Sequence, residues 1–276
     1  MIPAKLKQQL IEFSQSSSRI TVLTGAGISA ESGVPTFRGP EGFWTVGSRE
    51  YHPQEMATLR MFTATPYEVW KWYLYRMGVC AEAEPNPGHR AVAKMERALP
   101  GRFRLITQNV DNLHLRAGSS LENTYQIHGN IFFTRCLADC GFGVQPLLSG
   151  LKARGKGKPL SEQEKALLVC PRCGSPLRPH VLWFDETYDE AHYRFQSSLA
   201  AAKQTELLIT VGTSGATNLP NQIAWQVYQN GGTILDINLE ENPFSELAKE
   251  SPGGGFIRAA SAMVLPKIAE LLTIED

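Results

Sequence analysis

Four short apolar runs stand out along the chain: "ITVLTG" (20–25), "FRLITQN" (103–109), "ELLITVGTS" (206–214) and "TILDIN" (233–238). Each is of strand length and nearly continuous in Val, Ile and Leu, the pattern of a strand covered on both faces. Between them lie stretches with helical spacing, such as "PGHRAVAKMERAL" (87–99) and "NQIAWQVYQN" (221–230). The opening "MIPAKLKQQLIEF" (1–13) reads as an amphipathic helix. Strands alternating with helices predict an α/β fold, a Rossmann-like parallel sheet with helices on both faces. Three of the runs end at Gly or Asn followed by small or polar residues. In such sheets ligands bind at the carboxyl ends of the strands.

Two segments depart from this alternation. Residues 41–85 are rich in aromatics and mostly helical in pattern. Residues 136–174 hold four of the five cysteines and the basic stretch "SGLKARGKGKPLSEQEK", which reads as a solvated connector leading into a short helix. The cysteines fall as Cys136-x3-Cys140 and Cys170-x2-Cys173, with Cys80 alone. Two close pairs suit four thiolates around one zinc, a closed and therefore structural site. Cys80 is expected to be a packed thiol. The resulting division is a discontinuous Rossmann-like domain (1–43, 86–135 and 177–276) and a smaller inserted domain. The latter combines a helical insertion (44–85) with a zinc-binding insertion (136–176).

Composition narrows the partners. The 276 residues carry no formal net charge, with 42% hydrophobic and 20% charged residues. Long-range attraction to nucleic acid or to an anionic membrane is not expected. No apolar run approaches the ~20 residues of a membrane-spanning helix. The N-terminal stretch lacks the apolar core of a secretory signal, so a cytoplasmic location is expected.

The run "TGAGISAESG" (24–33) follows the first predicted strand. Gly25 and Gly27 would let the backbone approach a pyrophosphate at a helix N-terminus. An NAD dehydrogenase would continue into a second strand ending in Asp or Glu about 20 residues on. Here that region, "PTFRGPEGFWTVGSRE", is broken by Pro, Gly and Arg. No Gly-Lys-Ser/Thr follows, which argues against a P-loop.

The continuation "GAGISAESGVPTFRG" (25–39), with "TQNVDNLH" (107–114), "IHGN" (127–130), "HVLWFDE" (180–186), "VGTS" (211–214) and "DIN" (236–238), closely resembles the sirtuin family of NAD-dependent protein lysine deacylases. The resemblance spans nearly the whole chain in the family's order. It implies that NAD is consumed: nicotinamide leaves as the acyl-lysine oxygen attacks the ribose. A general base then activates a ribose hydroxyl, and lysine and O-acyl-ADP-ribose are released.

Within that resemblance His128 is the general base, and its ordinary pKa of ~6.5 suits proton transfer near neutrality. Asn109 and Asp111 match the residues around the nicotinamide ribose and carboxamide, with Gln108 and Val110 beside them. Gly25, Ala26, Gly27, Ser29, Glu31, Thr36, Phe37, Arg38 and Trp44 match the first NAD-binding segment. There Phe37 would shield the reacting sugar and Arg38 would engage phosphate or order the loop. Gly212, Thr213 and Ser214 match a second phosphate and ribose turn. Asn238, Leu239, Glu240 and Ser261 complete the adenosine end. Val181, Trp183, Phe184 and Glu186 match the strand that pairs with an acyl-lysine peptide. Tyr73 and Arg76, in "YEVWKWYLYRM", are three apart on one helix face. They match the subgroup that removes succinyl and malonyl groups, where a planar guanidinium grips the acyl carboxylate. Deacetylation is expected as a second activity.

The family more often has two residues between its first cysteines, Gly where Asp185 stands, and a turn one residue shorter than "GTSGATNLPNQ". A protein ADP-ribosyltransferase or an NAD glycohydrolase could use the same site. A non-enzymatic NAD-sensing or zinc-dependent module is the third alternative, against which His128, Asn109 and Asp111 together argue.

Overall fold

The computed structural model describes residues 2–35, 44–46 and 48–274, with backbone alone at 44 and 45. The expectations for Thr36, Phe37 and Arg38, and for the side chain of Trp44, lie outside the described residues.

In chain order the strands are β1 (Ile20–Thr24), β2 (Trp44–Val46), β3 (Arg49–Tyr51), β4 (Phe103–Thr107), β5 (Thr124–Gln126), β6 (Gly129–Cys136), β7 (Gln145–Pro146), β8 (Leu177–Val181), β9 (Leu207–Val211), β10 (Thr233–Asn238) and β11 (Gly255–Arg258). Six of them form one parallel sheet in the order β11-β10-β9-β1-β4-β5. All four expected strands are there, and β1 and β9 are buried at every position. The edge strands β5 and β11 were not foreseen from the pattern. They are three and four residues long and carry no apolar run.

β1 pairs with β4 on one side and β9 on the other, so the strand order reverses between β1 and β9. This is the point at which such sheets open a ligand crevice. One face is covered by the helices Ala4–Gln15, Pro87–Ala98 and Ser261–Leu272, whose Leu10, Met95 and Leu265 pack on Val22 and Ile209. The other carries the helices Asn218–Gln229 and Pro243–Glu250, packed through Ile223 and Phe244 against Leu23 and Leu208.

A second sheet, β7-β6-β8, is antiparallel, and β6 and β8 lead into and out of the cysteine segment. Beside it pack the helices Leu59–Ala64 and Pro66–Glu82 around Phe62, Trp70, Trp72, Tyr73, Ile131, Leu168 and Trp183. Burying an aromatic or large aliphatic side chain is worth about 1.5–3 kcal/mol. The aromatic stripe of the Pro66–Glu82 helix therefore serves first as core. The "HVLWFDE" run is extended only to Val181; the chain then turns, with the Glu186 N–H donating to the Trp183 carbonyl at 3.0 Å.

Candidate active site

The crevice begins where the turns after β1 and β9 cross. The Gly25 N–H donates to the Val211 carbonyl at 2.9 Å, and the Gly27 N–H to the Gly212 carbonyl at 2.8 Å. A Cβ on Gly27 would sit 2.6 Å from the Gly212 Cα, and one on Gly25 would sit 2.8 Å from the Gly212 carbonyl oxygen. Gly212 itself has φ +58° and reciprocal contacts with Gly27 and Ile28. These glycines thus bring two backbones together, which leaves the crevice mouth lined by main chain from both turns.

The loop after β4 is tied to the same place. The Asn109 amide donates to the Gly25 carbonyl and to the Ser29 hydroxyl, both at 3.0 Å. Ser29, buried, also meets His89 Nε2 at 3.2 Å and hydrogen-bonds Asp111. Burial pushes the Asp111 carboxyl up. The Ser29 hydroxyl, the Leu113 N–H and the charge of Arg76 act against that rise. Gln108 donates through Nε2 to the Thr213 hydroxyl at 2.8 Å, joining the β4 and β9 turns. Val110 is buried, and its carbonyl accepts from the Ile131 N–H at 3.0 Å.

Behind this layer lie two histidines that the sequence reading passed over. His89 and His114 are fully buried, with ring centroids 4.8 Å apart. Burial lowers the His89 pKa to about 4 and that of His114 well below its ordinary value, so both are neutral. His114 Nε2 meets the Thr24 hydroxyl at 3.0 Å.

His128 sits between β5 and β6. Its Nδ1 lies 3.0 Å from the Gln108 carbonyl, which can only accept, so Nδ1 carries the proton and Nε2 the lone pair. Burial lowers its pKa to about 4, with the Gln108 carbonyl pulling partly back. The Tyr188 phenol stands 2.7 Å from Nε2.

The remaining expected NAD residues group along the rim. Ser214, Leu239 and Glu240 are exposed, and the Asn238 amide donates to the Thr213 carbonyl at 2.8 Å. Glu31 and Ser261 meet each other: one Glu31 oxygen accepts from the Ser261 hydroxyl at 2.7 Å and from the Ala262 N–H at 2.9 Å. That carboxylate therefore holds the start of the Ser261–Leu272 helix. Ala26 is half-buried in the β1 turn.

Of the expected peptide-facing residues only Phe184 is exposed, at 59%, while Val181 and Trp183 are buried at 4% and 1%. Glu186 is engaged internally: Arg178 forks onto its carboxylate, and the Trp183 N–H donates to it at 3.0 Å. The main-chain N–H groups of Leu182 and Phe184 donate to the His128 and Ala57 carbonyls, both at 3.0 Å. Asp185, in the place where the family more often has Gly, accepts from the N–H groups of Leu59 (2.7 Å) and Arg60 (3.1 Å). It thereby caps the Leu59–Ala64 helix. Tyr73 is buried, its hydroxyl accepting from the Trp183 indole at 2.9 Å. Arg76 is half-buried over the Trp72 ring. Burial works against its charge, while Cys80, Tyr73, Tyr75 and Asp111 favour it.

The sulfurs of Cys136, Cys140, Cys170 and Cys173 all lie within 4.8 Å of one another. Cys136–Cys173 and Cys140–Cys170 are separated by 3.5 and 3.7 Å. Sulfurs about 2.3 Å from a tetrahedral zinc are about 3.8 Å apart, so the set fits that ion and leaves no open position. The extra residue of the first pair is absorbed by Asp139, whose φ of +47° is left-handed.

Fold and site together define an α/β chain with a crevice at its strand-order reversal and an attached four-cysteine module whose geometry suits a metal ion. The Sir2 family model matches residues 25–218. The NAD-dependent protein deacylase of Pyrococcus furiosus is 40% identical over 255 residues, covering 92% of this chain and 93% of that one. The protein of the same name from Leptospira interrogans serovar Lai is 38% identical over 263 residues, covering 95% and 96%. A solved Sir2 homologue–NAD complex superposes with a TM-score of 0.77 at 33% identity, covering 96% of this chain and 93% of that one. The chain belongs to the Sir2 family. Among the described residues no helix is long and apolar enough to cross a membrane.

Proposed function

We propose that this protein is an NAD-dependent protein lysine deacylase that consumes NAD and prefers acidic acyl groups, succinyl and malonyl, with acetyl removal as a second activity. The deacylase reading is supported by the names of the relatives and by the Sir2 homologue solved with NAD. The convergence of Asn109, Asp111 and a neutral His128 at one crevice also supports it. In this reading NAD lies across the crossed turns after β1 and β9, with its adenosine end towards Asn238. Asn109 and Asp111 orient the nicotinamide riboside, and fixing a leaving group in this way can contribute several kcal/mol. His128, unprotonated at Nε2, takes the ribose proton. Zinc, bound by the four cysteines, would close the small module.

The observation that carries the acyl preference is the placement of Arg76. Its guanidinium is held partly out of water, within electrostatic reach of Asp111 in the crevice and of Tyr73 on its own helix. A charge kept there at a desolvation cost suits an incoming carboxylate, which would pair with it bidentately. Arg76→Met should lower kcat/KM on succinyl- and malonyl-lysine peptides at least ~10-fold and leave acetyl-peptide within a few-fold, as the loss of a charge-assisted pair implies. Equal loss on all three peptides would assign Arg76 a purely structural part.

A further inference from the structure

Tyr188 completes the hydrogen bonding of the base. His128 donates from Nδ1 to the Gln108 main-chain carbonyl, and its Nε2 faces the Tyr188 phenol at 2.7 Å. The Thr217 side chain is near enough to Tyr188 to act against the rise of its pKa. Thr217 in turn donates to the Gln108 side-chain oxygen at 3.0 Å. The orientation of the Gln108 amide follows from its other end, which donates to Thr213 at 2.8 Å. The proton of Thr217 is therefore committed to Gln108. The phenol proton has its acceptor in the lone pair of the neutral His128 Nε2. The phenol is steadied by Phe195, whose ring stacks at 6.2 Å from its own.

A lone pair already occupied by a phenol O–H cannot also accept a proton directly from substrate. We propose that Tyr188 relays the proton between the substrate's ribose hydroxyl and His128; this rests on the reading of His128 as general base. The ribose hydroxyl passes its proton to the Tyr188 oxygen as the Tyr188 proton passes to His128 Nε2. The electron pair left on the ribose oxygen forms the new bond to the acyl carbon, the carbon–nitrogen π pair of the O-linked acyl-lysine cation moves onto the lysine nitrogen, and the positive charge passes from that cation to the imidazolium. The Nε2–H then donates to the Tyr188 oxygen, which keeps the proton received from the ribose. No phenolate forms, in keeping with burial, which raises the Tyr188 pKa to about 12.

The test compares two half-reactions on the zinc-loaded enzyme with succinyl-peptide and NAD. Nicotinamide exchange needs only the first bond cleavage, before any base acts, whereas release of free lysine needs both steps. Tyr188→Phe should keep exchange of labelled nicotinamide within about threefold. Lysine release under single turnover should fall by about 10²-fold, the scale of acid–base assistance. His128→Ala should show the same split, and full lysine release by that variant would instead remove the base reading itself. Tyr188→Phe with wild-type lysine release overturns the relay and leaves His128 acting directly. Equal loss of exchange and release in Tyr188→Phe, with an unchanged melting temperature, would reduce Tyr188 to a structural role and overturn it too. In the wild type, single-turnover rates in mixed H2O and D2O should bow as two moving protons require; a straight line contradicts the relay.

Discussion

At the residue scale the site turns on protonation. A general base must be neutral to act, and the folded protein holds His128 near pKa 4, below the ordinary ~6.5, because burial penalises the imidazolium. The neutral form therefore persists to lower pH than in an exposed histidine. The acid limb of kcat/KM for succinyl-peptide should fall below pH 5, and a limb centred at 6.5 would place the base in water or elsewhere in the chain. His128, Asn109 and Asp111 could be proposed for the site from sequence because each stands inside a run that resembles the family. Tyr188, Thr217 and His89 were not. Their parts come from contacts between segments far apart, such as the 60 residues separating His128 from Tyr188, and no local pattern records that meeting.

Elements show a second kind of gap. The continuous apolar runs identified β1, β4, β9 and β10, since strands buried on both faces leave that signature. The same reasoning read Gly25 and Gly27 only as room for a ligand. Gly27 lies against Gly212 and Gly25 against Gly212 and Thr213, so they serve the crossing of two turns as well. The departures from family pattern have local explanations. Within the three-residue cysteine spacing Asp139 takes a left-handed conformation. Asp185 gives up the freedom of Gly and satisfies two N–H groups at the start of the Leu59–Ala64 helix, where Thr58 satisfies a third. Asp185→Ala should cost about 1 kcal/mol, the usual worth of a helix cap, read as a lower urea midpoint at unchanged slope. An unchanged midpoint would mean that the carboxylate adds nothing beyond water.

At the scale of the whole molecule, the parallel sheet brings residues from the ends of the five strands β1, β4, β5, β9 and β10 towards one edge, and the helical insertion carries Tyr73 and Arg76. That pair lay in a stretch whose aromatic content read mainly as core, and core it largely is. The acyl preference proposed for it rests on packing that sets Arg76 within electrostatic reach of Asp111. The account as a whole predicts that NAD cleavage is coupled to deacylation. Incubating the zinc-loaded enzyme with NAD and a succinyl-lysine peptide, and following all products by mass spectrometry, tests this most directly. Free lysine peptide, nicotinamide and O-succinyl-ADP-ribose should appear in equal amounts. Free ADP-ribose or ADP-ribosylated protein, with the succinyl-peptide untouched, would contradict the deacylase reading.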